Sequence, residues 1–257
     1  MKRILVLLAA AAAVLTGCEK EPDLHLSENM IGKWIVADID GQAVPTNDKA
    51  VYTILSSTKA YMSASINPRQ GEDALWNDKV ELGVAISGNK MTLTYRLDAQ
   101  TTMSEEFNVT TISANDFSAK HKITVTSNDS VVLSNEGIIH FVKVTADYTQ
   151  AIIGIWEGRC TSEGSVFDDG QIHRWEYKAD GKYVYYKKEN NSWAPSNDPV
   201  SDYFVDGNLL CTRWVSNGVE NREWWEVSIS GSTMNWTALR LDASGKRFSA
   251  TFEMKKQ

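Results

Sequence analysis

The chain has 257 residues, 26 Lys+Arg against 33 Asp+Glu, a formal net charge of -7, and 42% hydrophobic and 23% charged residues. Those proportions belong to a globular protein rather than a disordered one, and the acidic balance lacks the basic footprint of a nucleic-acid binder. The length admits one large domain or two small ones.

Lys2 and Arg3 precede an apolar run, Ile4 to Leu15, of 12 residues. That is too short to span a bilayer, so residues 1–17 read as a signal peptide rather than a membrane helix. Its end, Leu15-Thr16-Gly17-Cys18, resembles the lipobox of bacterial lipoproteins, which implies cleavage before Cys18 and lipidation of its thiol. The remaining chain then carries 24 basic and 33 acidic residues, a net charge of -9. Residues 18–28 form a tether, and its charged start, Glu19 to Asp23, resembles the tethers of Bacteroidetes surface lipoproteins. The implied address is the cell envelope: lipid-anchored at the outer membrane, either periplasmic or surface-exposed. No later segment is apolar enough to cross a membrane as a helix, so the lipid on Cys18 is the expected membrane contact.

Ser27 to Ile31 offers a short helical turn with Ser27 as its N-cap. From there the chain runs in short alternating stretches broken by Gly, Asn, Asp and Ser. Val80 to Ile86, Ser87-Gly88-Asn89 and Met91 to Tyr95 read as strand, tight turn and strand, and Asp40-Gly41 reads as another hairpin turn. No long helical periodicity follows, so the class is all-β.

An internal repeat organises these strands. Ile31-Gly32-Lys33-Trp34 matches Ile153-Gly154-Ile155-Trp156, Gly88-Asn89 matches Gly207-Asn208, and Val109 matches Val227, at offsets of 122, 119 and 118 residues. The ordered, shrinking offsets mark two units, 29–146 and 150–257, which a short junction without Pro or Gly should hold in contact. Antiparallel sheets without covering helices must hide their edges, and closure into a barrel does so.

Gly32-x-Trp34 and Gly154-x-Trp156 resemble the first-strand motif of lipocalin-like (calycin) barrels. Over a longer stretch the chain resembles tandem lipocalin-like lipoproteins of Bacteroides and relatives. The resemblance implies two small antiparallel barrels in tandem, with Trp34 and Trp156 plugging the floors. It also implies a basic residue stacked on each floor Trp, for which Lys143 and Arg247 are the candidates. A pair of β-sandwiches remains the alternative architecture.

The histidines, His25, His121, His140 and His173, are isolated in sequence, and no HExxH, CxxC or GxSxG spacing occurs. Adjacent Glu105 and Glu106 must point to opposite faces of a strand. No catalytic set, metal site or cofactor is expected, and the chain reads as a non-enzyme. Aromatic residues concentrate in the second unit, where seven of the nine Trp lie. Trp175, Tyr185, Trp193 and Trp214 are the candidate ligand-binding residues, with Trp193 expected on the rim of the open end. They suit a small amphiphilic or glycan ligand. The alternative function is that of a structural or accessory lipoprotein engaging another envelope protein. Cys160 and Cys211 are a possible disulfide in an oxidising compartment or, equally, two buried thiols. By its parity with Trp156, Cys160 should face inward.

Overall fold

The computed structural model describes residues 22–65, 76–163, 165–196 and 201–257. The signal peptide, Cys18 and the first part of the tether lie outside the described residues. A single helical turn, α1 (Leu26–Asn29), is followed by nine strands in the first unit. These are β1 (Gly32–Ile39), β2 (Gln42–Ala43), β3 (Val51–Ser56), β4 (Lys59–Ser65), β5 (Trp76–Ser87), β6 (Lys90–Arg96), β7 (Thr101–Ile112), β8 (Asp116–Ser127) and β9 (Ser130–Lys143). A 3-10 turn at Thr46–Asp48 lies between β2 and β3. The second unit has β10 (Gly154–Cys160), β11 (His173–Tyr177), β12 (Tyr183–Glu189), β13 (Ser192–Pro195) and β14 (Ser201–Asp206). It continues with β15 (Leu209–Ser216), β16 (Val219–Ser230), β17 (Thr233–Leu241) and β18 (Arg247–Lys256).

Alternation builds both units. In β7 the buried residues Thr101, Met103, Glu105, Phe107 and Val109 sit at every second position, as a strand with one face on a core requires. In the first unit β1 pairs with both β3 and β9, so eight antiparallel strands close into a barrel and leave β2 as a short flap. The second unit runs in the order β13-β12-β11-β10-β18-β17-β16-β15-β14 and curls without closing its seam by a ladder. One bridge, Lys182 to Asp202, crosses that seam. It is reinforced by ion pairs from Asp202 to Lys182 and, at 2.6 Å, to Arg213.

The two floors are built alike, atom by atom. Trp34 and Trp156 are 1% and 0% exposed, and each indole donates to a carbonyl four residues earlier, Met30 at 2.8 Å and Ile152 at 2.6 Å. A lysine from the last strand of each unit lies over the ring: Lys143 on Trp34 at 5.0 Å and Lys256 on Trp156 at 5.1 Å. This explains the glycines. Gly32 and Gly154 have φ of 137° and 130°, and a Cβ on either would stand 2.9 Å from the stacked lysine's Cε. The stacking residue of the second unit is therefore Lys256 rather than Arg247. Arg247 instead donates to the Ala43 carbonyl of the first unit at 2.7 Å. The N-terminal turn also differs from expectation, since α1 starts at Leu26 with His25 as N-cap, which buries Leu26 under the first floor.

The units touch along a buried seam of their own. Ile35 and Val51, on the outside of the first barrel, pack with Leu209, Cys211 and Trp224 on the outside of the second sheet. Beside them Asp206, 5% exposed, accepts from Lys33 and, at 2.5 Å, from the Ser63 hydroxyl. The 3-10 turn enters a gap in the second sheet. β16 pairs with β17 only from Glu226 to Ser230, so the strands separate above Glu226. There Thr46 Oγ1 accepts from the Leu239 N–H at 2.9 Å, and Asn47 Oδ1 accepts from the Trp224 N–H at 3.3 Å and from Arg240 Nη1 at 2.6 Å. Side chains of one unit thus satisfy backbone donors that the splayed strands of the other leave unpaired.

The same alternation rules out the disulfide. Leu210 faces the second core, so its neighbour Cys211 faces the seam between units, whereas Cys160 lies in the second core. Both thiols are free and buried, and burial pushes that of Cys211 well above its ordinary pKa.

Candidate functional site

Inward positions of the second sheet bring rings together around a cavity of about 320 Å³. Because β11 alternates, His173, Trp175 and Tyr177 point inward and Arg174 and Glu176 outward. Across the register, Trp175 stands opposite Tyr185 of β12, with ring centroids 5.3 Å apart. Trp236 approaches Trp175 at 4.8 Å and Trp225 at 5.4 Å. These separations lie in the range where offset and edge-on ring contacts are favourable. Trp214 and Thr212 of β15 and Glu223 of β16 line the side that faces the β16–β17 gap. Val166, Phe167 and Asp169, from the segment after β10, line the end away from the floor Trp156.

Two acidic groups enter this aromatic wall. Burial pushes the half-buried Glu223 carboxyl above the usual carboxylate range, opposed in part by Arg240 and a hydrogen bond from the Trp225 side chain. Arg240 itself lies 4.6 Å from the Trp225 ring and is held by Asn47 and by the Trp224 carbonyl, to which its Nη2 donates at 2.5 Å. Asp169 sits 3.1 Å from His173 Nε2, while His173 Nδ1 lies 2.9 Å from the Tyr185 hydroxyl. His173 Nε2–H can donate to Asp169, and Nδ1 meets the Tyr185 hydroxyl in the role its tautomer allows. Burial alone would raise Asp169, but the bonds it accepts from the Gln171 N–H and from His173, with the electrostatic pull of His173, outweigh it and hold the carboxyl below the usual range. Trp236, 3% exposed, also lines the cavity, and its indole N–H has no hydrogen-bond partner among the described residues.

Of the four sequence candidates, Trp175, Tyr185 and Trp214 line this cavity and Trp193 does not. The β12–β13 hairpin places Trp193 opposite Lys188, on the outer face of the sheet. There it lies between Arg174 at 4.6 Å and Lys188 at 5.7 Å. The rim expectation for Trp193 is thereby corrected: strand pairing, not loop position, decides its face. Glu223, Asp169, His173 and Trp236 were not singled out in the sequence. Parity offered a signal for Glu223, which is two residues from Trp225 on one strand and so shares its face.

The first barrel has a cavity of about 410 Å³ on its β2 side, and its inner wall carries a polar network. Glu105, 4% exposed, accepts from the Tyr52 hydroxyl at 3.0 Å and lies 3.0 Å from His121 Nε2. Burial, then the Glu105 charge, pushes the Tyr52 hydroxyl well above its ordinary pKa, so it remains a donor. Glu106 points outward to Lys90 at 2.6 Å, as adjacency on a strand demands. Among the described residues no group of three or more His, Cys, Asp or Glu side chains is placed to hold a metal ion.

No family model matches the chain, and no curated protein does. Among solved structures it is similar to a double mutant of the vaccine antigen Transferrin Binding Protein B from Haemophilus parasuis. The match has 9% identity and a TM-score of 0.25, and covers 81% of this chain and 53% of that one. The chain thus spans about half the length of that protein. It is also similar to a protein of unknown function of the DUF3598 family from Nostoc punctiforme. There the identity is 10% and the TM-score 0.23, with 90% of this chain and 97% of that one covered.

Proposed function

We propose that this protein is a non-enzymatic, lipid-anchored binding protein of the cell envelope that takes a small amphiphilic or glycan ligand into the cavity of its second unit. One observation carries the reading: Trp175, Tyr185, Trp214, Trp225 and Trp236 converge on one cavity of about 320 Å³. That volume is at the small end of ligand pockets, and mostly apolar walls with a few placed polar groups are what such pockets use. The anchor rests on Leu15-Thr16-Gly17-Cys18.

Native mass spectrometry of the protein against a panel of small amphiphiles and monosaccharides tests the site. A bound species that Trp175→Ala or Trp214→Ala removes supports it. A species lost only in Trp193→Ala places binding on the outer face and refutes it. The anchor is tested separately: Cys18→Ala should move the protein to the soluble fraction, and retention after a salt wash contradicts lipidation at that thiol.

A second reading, accessory binding to another envelope protein, draws on the β8–β9 hairpin. Its tip exposes Val131, Val132 and Leu133 at 63%, 62% and 46%. Contiguous exposed apolar side chains of this kind mark interaction surfaces. Crosslinking in intact cells from Val132 supports this reading if it captures one discrete partner that Val132→Asp abolishes.

A further inference from the structure

The charge pattern of the second cavity narrows the ligand. We infer that it is a small organic ammonium, a deepening that rests on the binding reading above. Two features of the wall point the same way. First, the wall is dominated by indole and phenol rings, whose faces carry the negative end of the ring quadrupole and attract cations. Second, the ionisable lining residues are Asp169, Glu223 and His173, together with tyrosines, and none of the described lining residues is Lys or Arg.

Arg240 lies beside the Trp225 wall of the cavity. Its guanidinium is held by Asn47 and the Trp224 carbonyl and covers the Trp225 ring, so it is committed to the seam between units rather than to the cavity. It offsets part of the Glu223 charge and leaves Asp169 facing the cavity with the rings. An anionic ligand would meet both carboxylates and no basic lining side chain. A neutral ligand would gain from the rings but leave the half-buried Glu223 without a counter-charge from the cavity side.

The test compares choline with 3,3-dimethylbutan-1-ol, which has the same shape and hydroxyl and lacks the charge. Each is titrated into the full-length protein, with tryptophan fluorescence and calorimetry as readouts. The inference predicts saturable binding of choline at least about tenfold tighter than the neutral isostere, the value of one well-placed charge interaction. In Glu223→Gln that ratio should fall toward one while binding of the isostere is unchanged. The ratio in the unsubstituted protein needs no variant, so a folding defect in Glu223→Gln leaves the test intact. Equal affinity for the two compounds overturns the inference and leaves the cavity as the ligand site. Saturable binding of neither overturns both.

Discussion

Replacing Asn47 with Ala tests how firmly the two units are joined. Asn47 Oδ1 accepts from the guanidinium of Arg240, 6% exposed, at 2.6 Å and from the Trp224 N–H at 3.3 Å. Losing a hydrogen bond to a buried charged group costs about 1.5–3 kcal/mol, and the longer amide bond adds up to about 1 kcal/mol. Arg240 keeps its bond to the Trp224 carbonyl, which limits the damage. The expected loss is therefore about 3 kcal/mol, equivalent to a fall in Tm of about 6–12 °C for a chain of this size. Scanning calorimetry and urea denaturation both measure it. Asn47→Asp retains an acceptor beside Arg240 and should recover most of the loss. If Asn47→Ala melts within about 2 °C of the parent, the turn at Thr46–Asp48 is not a structural wedge and the account of the splayed strands fails.

Three further outcomes follow from the same geometry. Trp156→Ala empties a fully buried floor and should cost about 3–5 kcal/mol, whereas Trp193→Ala, on the outer face, should cost under about 1 kcal/mol; similar losses for the two, by urea denaturation, would contradict the assignment of faces. Burial works to raise Asp202, but hydrogen bonds from Lys182 and Arg213 outweigh it and hold the carboxyl below its ordinary range. With Glu220 as the other carboxylate near Arg213, the Asp202 contribution should be present above the ordinary carboxylate pKa and lost as pH falls through the lowered one. Asp202→Asn should flatten the fall of the urea midpoint as pH drops below about 4, and an unchanged slope would refute this role for the seam pair. Because burial raises Glu223 against the pull of Arg240 and Trp225, choline affinity should rise with pH as that carboxylate forms. The slope left in Glu223→Gln would report Asp169 and His173 across the cavity, and an identical profile in both proteins would count against Glu223 as the charged contact.

The architecture was legible where a residue type answers to one geometry. Gly-x-Trp, read twice, located both floors, because a φ near 130° strains any other residue at Gly32 and Gly154, where a Cβ would also press on the stacked lysine. Lys143 was identifiable as the stacking residue, and its counterpart Lys256 was not, because the register that sets Lys256 opposite Trp156 depends on how the last strand aligns. Parity correctly placed Cys160 in the second core, yet it was not carried across to Cys211, whose neighbour Leu210 takes the inward position. Thr46-Asn47-Asp48 reads locally as a polar turn, and nothing local announces that it completes strands 177 to 193 residues away. Trp193 misled because a polar, Pro-containing stretch looks like a loop, whereas Ser192–Pro195 pairs with β12 as an edge strand. Glu223 and Asp169 were overlooked because single carboxylates in polar stretches are usually solvated. Only the assembled fold brings them beside the rings.

A crystal structure of the protein grown with choline bears most directly on the central claim. The account predicts the trimethylammonium group in the second cavity, within about 6 Å of the centroids of one or more lining rings and beside Glu223. Choline seated on Trp193 or on the first barrel, or absent from the second cavity at saturating concentration, would contradict it.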